Sequence, residues 1–378
     1  MFDVLLSIAA SFALTFLAIP VIITVADKKK LYDVPDARKV HQNPIPSLGG
    51  LGIYCGFMLA CLICMPFKSY SEMQFVLAAS FVIFFLGLKD DILVLSPIKK
   101  FIGQIFAAFL IVYKGGIQIE SMQGVLGVYN LNETASLVFT YLTIIVIVNS
   151  FNLIDGIDGL AGSLGLMTSL LFAIYFQQAG YMADAILGYS LAGASAAFLI
   201  FNFQPAKIFM GDTGSLLIGL ISSVLVIRFI NLAGNTAGPL PIDAAPAIGF
   251  IVLMVPLMDT LRVFTIRIFN RRSPFSADRN HIHHLLLDRG FSHRAITCTL
   301  VGANLAIIVA AYLLRALGSN VLILGTGVLF FSAIFWLYYN RPKARTIIAR
   351  RRFQSVPQEE SKSLLPFIKD NSILEQKN

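Results

Sequence analysis

The sequence predicts an all-α polytopic membrane protein, and three observations carry that prediction. Of its 378 residues, 57% are hydrophobic and only 13% are Asp, Glu, Lys or Arg, about half the charge of an ordinary soluble domain. The mean hydropathy is +0.77. Apolar runs of bilayer-crossing length, each needing about 20 residues, recur along the chain. This composition excludes a soluble enzyme, a nucleic-acid-binding protein and a disordered scaffold. The net charge of +8 therefore bears on topology before it bears on binding.

Eleven segments are expected to span, near residues 4–26, 48–67, 73–88, 101–117, 135–151, 160–178, 184–203, 214–232, 245–268, 296–314 and 321–339. The first is too long for the core of a cleavable signal and has Asp3 where a signal starts basic; it ends at Asp27-Lys28-Lys29-Lys30. The second contains Cys61 and Cys64 at CxxC spacing, but in an apolar run with no second pair, so they are read as filler. The third ends on Asp90 and Asp91. The fifth passes into the sixth through NSFNLIDGIDGLAG, and FMGDTGS precedes the eighth. No period of 20–50 residues repeats, which argues against a solenoid.

Placing the N-terminus outside sorts the cations sharply. The outer side keeps Lys68, Lys114, Arg228 and Arg315, and the other 25 of 29 lysines and arginines fall on the inner side. Such a bias is the signature of a cytoplasmic face. The membrane domain is expected over 1–340. Residues 341–378, basic and then polar, form a cytoplasmic tail suited to the anionic inner leaflet.

On this topology five acids from three separate stretches meet at the inner face: Asp90 and Asp91, Asp155 and Asp158, and Asp212. A carboxylate at the edge of a membrane segment needs a reason to be there. Asp212 before an apolar run is a good N-cap, and Asp155 and Asp158, three apart, would share a face on a helix. Adjacent carboxylates at a helix C-terminus oppose each other and the dipole, which makes Asp90–Asp91 a poor structural pair. Hard oxygen ligands suit Mg²⁺, held by one or two carboxylates plus substrate phosphates. Lys39, Lys100, Lys207 and Arg279 supply positive charge for an anionic substrate on the same face. His281, His283 and His284 stand beside Arg279 in RNHIHH. They lack the HExxH spacing of a zinc helix and are read as phosphate contacts. Together these features point to phosphoryl transfer to or from a lipid. A cation-coupled transporter also uses intramembrane acids, but it predicts acids near the midplane and an inverted repeat.

DARKVHQNPIPSLGG, LGLKDD, KKFIGQ, NSFNLIDGIDGLAG, FNFQPAKIFMGDTGS and PFSADRNHIHH occur in this order. As a set they resemble the polyprenyl-phosphate N-acetylhexosamine-1-phosphate transferases, over roughly residues 1–340. The wording of the PxPSLGG and HIHH motifs is similar to the branch that transfers GlcNAc-1-phosphate. The resemblance implies an enzyme of the bacterial cytoplasmic membrane with UDP-GlcNAc as donor and undecaprenyl phosphate as acceptor. Mg²⁺, or Mn²⁺ in its place, would be the cofactor, UMP the by-product and a surface polysaccharide the destination. It implies that Asp212 binds the metal and that Asp90 or Asp91 handles the lipid phosphate. Asn152, Asp155, Asp158, Asn202 and Phe209 would line the nucleotide pocket, with Lys39, Lys100, Arg279 and the HIHH histidines on phosphates. The 269–295 connection lacks the HHHFE wording of the branch that takes UDP-MurNAc-pentapeptide. Membrane lipids are expected around the protein, nucleic acid is not a partner, and a homodimer is compatible with the sequence.

Overall fold

The computed structural model describes residues 2–33, 44–271 and 281–340. Lys39, Arg279 and the tail 341–378 lie outside the described residues. The described chain is helical almost throughout. In order it has α1 (Phe2–Lys29), β1 (Tyr32–Asp33), β2 (Ile45–Pro46), α2 (Gly49–Cys64), α3 (Met73–Ile92) and α4 (Pro97–Phe109), which runs on into a π-helical turn at Leu110–Lys114. There follow β3 (Ser121–Val125), β4 (Val128–Asn130), α5 (Glu133–Ile154), α6 (Leu160–Gln178), α7 (Met182–Asn202) and α8 (Gly211–Ala233). The last elements are α9 (Ala245–Val252), α10 (Met254–Phe269), α11 (Ile282–Leu287), α12 (His293–Leu313) and α13 (Ser319–Tyr339). A helix or helix pair coincides with each predicted apolar segment. Among the described residues seven helices are long and apolar enough to cross a membrane, or eight if α9 and α10 count as one bent span. The chain is thus a multi-pass membrane protein with at least seven candidate spans.

Local sequence explains where several helices begin. Pro97 opens α4, where its missing N–H costs no helical bond. Asn132 accepts from the Ala135 amide at 2.8 Å to cap α5, and Ser292 does the same for α12 through Ala295.

The ninth segment differs from expectation. It is not one helix: it breaks at Leu253, and α9 and α10 meet at 77°. Pro256 has no N–H to give the Val252 carbonyl. That carbonyl instead accepts from Asn304 Nδ2 of α12 at 3.0 Å. The short β3–β4 hairpin was also not anticipated.

Burial shows which helices form the centre. In α8, 78% of the apolar window is buried inside the protein and in α7 72%, against 17% in α1 and 22% in α13. Near the far end of α8, Arg228 grips the fully buried Asp184 of α7 in a two-pronged pair, Nε to Oδ1 at 2.9 Å and Nη2 to Oδ2 at 2.7 Å. A buried acid in lipid surroundings persists when matched this way. The pair fixes α7 and α8 in register.

Candidate active site

The first turn of α8 is held by its neighbours. A Cβ on Gly50 of α2 would fall 2.7 Å from Gly214 Cα, and one on Gly87 of α3 would fall 2.6 Å from Thr213 N. Only glycine lets both backbones approach so closely. Gly211 adopts φ +70, and a Cβ there would lie 2.7 Å from both Asp91 oxygens. The IPSLGG stretch pairs with the same turn. Phe209 N donates to Pro46 O at 2.7 Å, Gly49 N to Phe209 O at 2.9 Å and Gly50 N to Met210 O at 2.8 Å.

Asp91 completes this framework. Its Oδ1 accepts from Asp212 N at 2.7 Å, and its Oδ2 accepts from Thr213 N at 3.1 Å and Thr213 Oγ1 at 2.6 Å. The first N–H groups of a helix lack intrahelical partners. A carboxylate from α3 satisfies two of them in α8 and matches the positive end of its dipole. Asp212 itself lies in the first turn of α8 and caps nothing with its side chain.

Asp212 instead faces Lys100. The Lys100 ammonium sits 2.6 Å from Asp212 Oδ2 and 2.7 Å from Asp90 Oδ2. Asp90 Oδ1 accepts from Leu95 N at 2.7 Å. Asn152 stands beside Asp212 and donates to Ser215 Oγ at 3.2 Å. Asp90, Lys100 and Asp212, from α3, α4 and α8, therefore form one connected cluster, with Asn152 of α5 alongside. Beside Lys100 opens a cavity of about 130 Å³ lined by Phe101, Gln104, Asn149, Asn152, Leu153 and Phe264, among others. It has room for a phosphate but not for a nucleotide sugar, since pockets for ligands of that size run to about 300 Å³ or more.

Asp155 and Asp158 sit in the loop between α5 and α6, not on a shared helical face. Burial pushes Asp155 up to about 8, with the nearby charges of Asp212, Asp91 and Asp158 acting in the same direction. Asp158 braces the loop: its Oδ1 lies 3.1 Å from His293 Nδ1, and its Oδ2 accepts from Ala206 N at 3.2 Å. Asn202 is buried and spends both ends of its amide on backbone, accepting from Gly159 N at 2.8 Å and donating to Ile208 O at 2.8 Å. Phe209 is half-buried and meets the cluster through the backbone ladder described above.

The histidines divide. His283 is buried, and burial with His284 beside it pushes its pKa down to about 3, so the ring is neutral. It packs on Gly156, whose Cβ would fall 2.8 Å from His283 Nε2. His284 is only half-buried and stacks obliquely on His283 at 4.4 Å. His281 is buried and faces Asp259 of α10.

Among the described residues no three His, Cys, Asp or Glu side chains form a ready metal cage. The donor chemistry nonetheless suits Mg²⁺. Asp90 and Asp212 converge on one cation position, filled by the Lys100 ammonium, whose single charge faces two carboxylates. Magnesium characteristically completes such a partial set with water and substrate phosphate.

Asp259, His293 and the Gln104–Asn149 amide pair were not singled out in the sequence. Asp259 did carry a signal, as the sole acid between residues 245 and 268.

The sequence profile of glycosyl transferase family 4 matches residues 73–230, a stretch that holds Asp90, Asp91, Lys100, Asp155 and Asp212. The chain is 34% identical to the decaprenyl-phosphate N-acetylglucosaminephosphotransferase of Mycobacterium leprae, over 75% of this chain and 76% of that one. It is 30% identical to the undecaprenyl-phosphate alpha-N-acetylglucosaminyl 1-phosphate transferase of Yersinia pestis, over 75% and 77%. The Haemophilus influenzae protein of the same description is also 30% identical, over 77% and 81%.

Proposed function

Because the chain belongs to the polyprenyl-phosphate N-acetylhexosamine-1-phosphate transferases of glycosyl transferase family 4, we propose that it transfers GlcNAc-1-phosphate from UDP-GlcNAc to undecaprenyl phosphate. The products are undecaprenyl-diphospho-GlcNAc and UMP. We place the reaction at the cytoplasmic face of the bacterial inner membrane, as the first lipid-linked step of a surface polysaccharide. The observation that carries the reading is the Lys100 ammonium bridging Asp90 and Asp212 beside a phosphate-sized cavity.

The proposed step is a direct displacement. A lipid phosphate oxygen forms a bond to the β-phosphorus of UDP-GlcNAc, and the bond to the UMP oxygen breaks. Lys100 holds the lipid phosphate at the cavity mouth. Asp90 takes up a proton from it where the monoester is still protonated, its second pKa being about 6. Asp91, with both oxygens committed to the α8 turn, keeps Asp212 in place and is the less suited base. Mg²⁺ held by Asp212 with Asp90, when bound, would neutralise the pyrophosphate and stabilise departing UMP. Asn152 and Asp155 flank the donor side. Positioning and electrostatics of this kind supply most of the catalysis in phosphoryl transfer. A covalent phospho-aspartate route would instead give ping-pong kinetics.

Two measurements bear on this reading. With purified protein and undecaprenyl phosphate, UDP-GlcNAc should release UMP, and UDP-MurNAc-pentapeptide should release none. Efficient turnover of the pentapeptide donor would move the protein to the other branch of the family. The second measurement is proton linkage. Asp155 holds its proton below about pH 8, and a neighbouring cation stabilises the carboxylate and drives that proton off. Mg²⁺ must compete with the proton below that pH, so its apparent affinity should fall about tenfold per pH unit on the acid side and level off above pH 8. Calorimetry at pH 7 in buffers of different ionisation enthalpy should count about one proton released per Mg²⁺ bound, and none in Asp155→Asn. A pH-independent affinity between 6 and 8 would contradict the assignment.

A further inference from the structure

Asp259 is 1% exposed on α10, just past the break in the ninth segment. Its three hydrogen bonds among the described residues are specific. Oδ2 lies 2.8 Å from His281 Nδ1, and Oδ1 accepts from the Ile282 amide at 2.9 Å and from Arg262 Nη2 at 3.0 Å. Neutralising Arg262, three residues along the same helix, would not require contact with the HIHH segment. Two of the three bonds nevertheless go there, across 22 and 23 residues of sequence.

We propose that Asp259 is a positioning residue: its carboxylate accepts from Nδ1–H of His281 and orients the ring so that, doubly protonated against bound substrate, it donates Nε2–H to a phosphate oxygen. This inference rests on the phosphotransferase reading of the site. A carboxylate on Nδ1 fixes both the rotation of the ring and which nitrogen carries the proton, and it stabilises the ring when both nitrogens are protonated. His281 thus carries a buried carboxylate on its ring, while His283 stays neutral under burial. The His281 and His283 rings stack with centroids 5.5 Å apart and planes 4° from parallel. His283 in turn packs on Gly156, next to Asp155. A continuous stack of side chains thus runs from the broken helix to the loop that flanks the donor, with Asp259 as its anchor.

Asp259→Asn tests the role. Asparagine keeps the size and can still accept from Ile282 and Arg262, but it has no charge to support the doubly protonated ring, and its amide would donate to Nδ1 of a neutral one, so the phosphate would lose its cationic donor. The expected result is a fall in kcat for UMP release of about 10²-fold, with KM for UDP-GlcNAc changed by less than about threefold. Combining it with His281→Gln should add no further loss, because the two residues act as a unit. Asp259→Glu should recover part of the rate. A purely structural role predicts lower yield or melting temperature, unchanged turnover per folded molecule, and losses that multiply in the double variant. Either unchanged kcat in Asp259→Asn or multiplying losses overturns the proposal. Should that variant fail to fold, ¹⁵N spectra of the histidine-labelled native protein decide: a proton on Nδ1 of His281 is predicted, and a neutral ring protonated on Nε2 overturns it. Failure of the native protein to release UMP from any donor would strike the phosphotransferase reading, and the His281 tautomer would still report separately on the Asp259 contact.

Discussion

Asp212→Asn should leave the protein inserted and folded yet cut Mg²⁺-dependent UMP release by about 10³-fold or more. Asparagine has nearly the same shape, and the α8 turn does not depend on the Asp212 side chain, since Asp91 supplies its cap. What disappears is the charge that faces Lys100 at 2.6 Å. Losing that ion pair is unfavourable, but losing one of several mutually repelling carboxylates is favourable. With the partners partly exposed, the net change in stability should stay within about 1 kcal/mol. Turnover, and not thermal stability, is therefore the readout. Near-normal activity at ordinary Mg²⁺ would reduce Asp212 to a partner of Lys100 with no part in metal binding.

The helices and the acids at their ends were legible from sequence because both are local signals. A run of apolar residues announces a span, and an acid at its edge stands out against lipid. What each acid does was not legible. Asp90 and Asp91 are adjacent, yet one shares an ammonium with Asp212 and the other caps α8; the difference lies in which way each points from the end of α3. Asp155 and Asp158 looked like neighbours on a helix, but they sit in a loop that turns through Gly159 at φ +76. Asn202, expected at the nucleotide pocket, brackets two backbone segments, a task its place in the sequence does not announce. The break at Leu253 required both Pro256, visible in the sequence, and Asn304, some fifty residues later, to receive the freed carbonyl. Pairings of this kind depend on the fold as a whole and leave no periodicity to read.

Lys100→Met carries the second large expected effect. It removes the only cation contacting both Asp90 and Asp212 among the described ion pairs. Stripping one partner from a buried charge cluster costs about 3–5 kcal/mol when fully buried. Here the lysine side chain is 25% exposed and its partners 12% and 22%, and the orphaned carboxylates can take up a proton, so about 1–2 kcal/mol is expected. Catalysis should fall by about 10³-fold, through loss of both the lipid-phosphate contact and the spacing of the two acids. Lys100→Arg should not restore it, because a planar guanidinium cannot stand as a point charge between two converging carboxylates. High Mg²⁺ should rescue part of the stability loss and little of the rate. Full activity in Lys100→Met would separate the cluster from the chemistry.

An acid–lysine cluster that moves a sugar phosphate from a nucleotide to a lipid must couple the two products one to one. Purified protein should be given UDP-GlcNAc with and without undecaprenyl phosphate, in Mg²⁺ and then in excess chelator, with UMP and the lipid product both quantified. Equal amounts of UMP and lipid-diphospho-GlcNAc should form, and only when lipid phosphate and Mg²⁺ are both present. UMP formed without the lipid, or a lipid product formed in chelator, would contradict it.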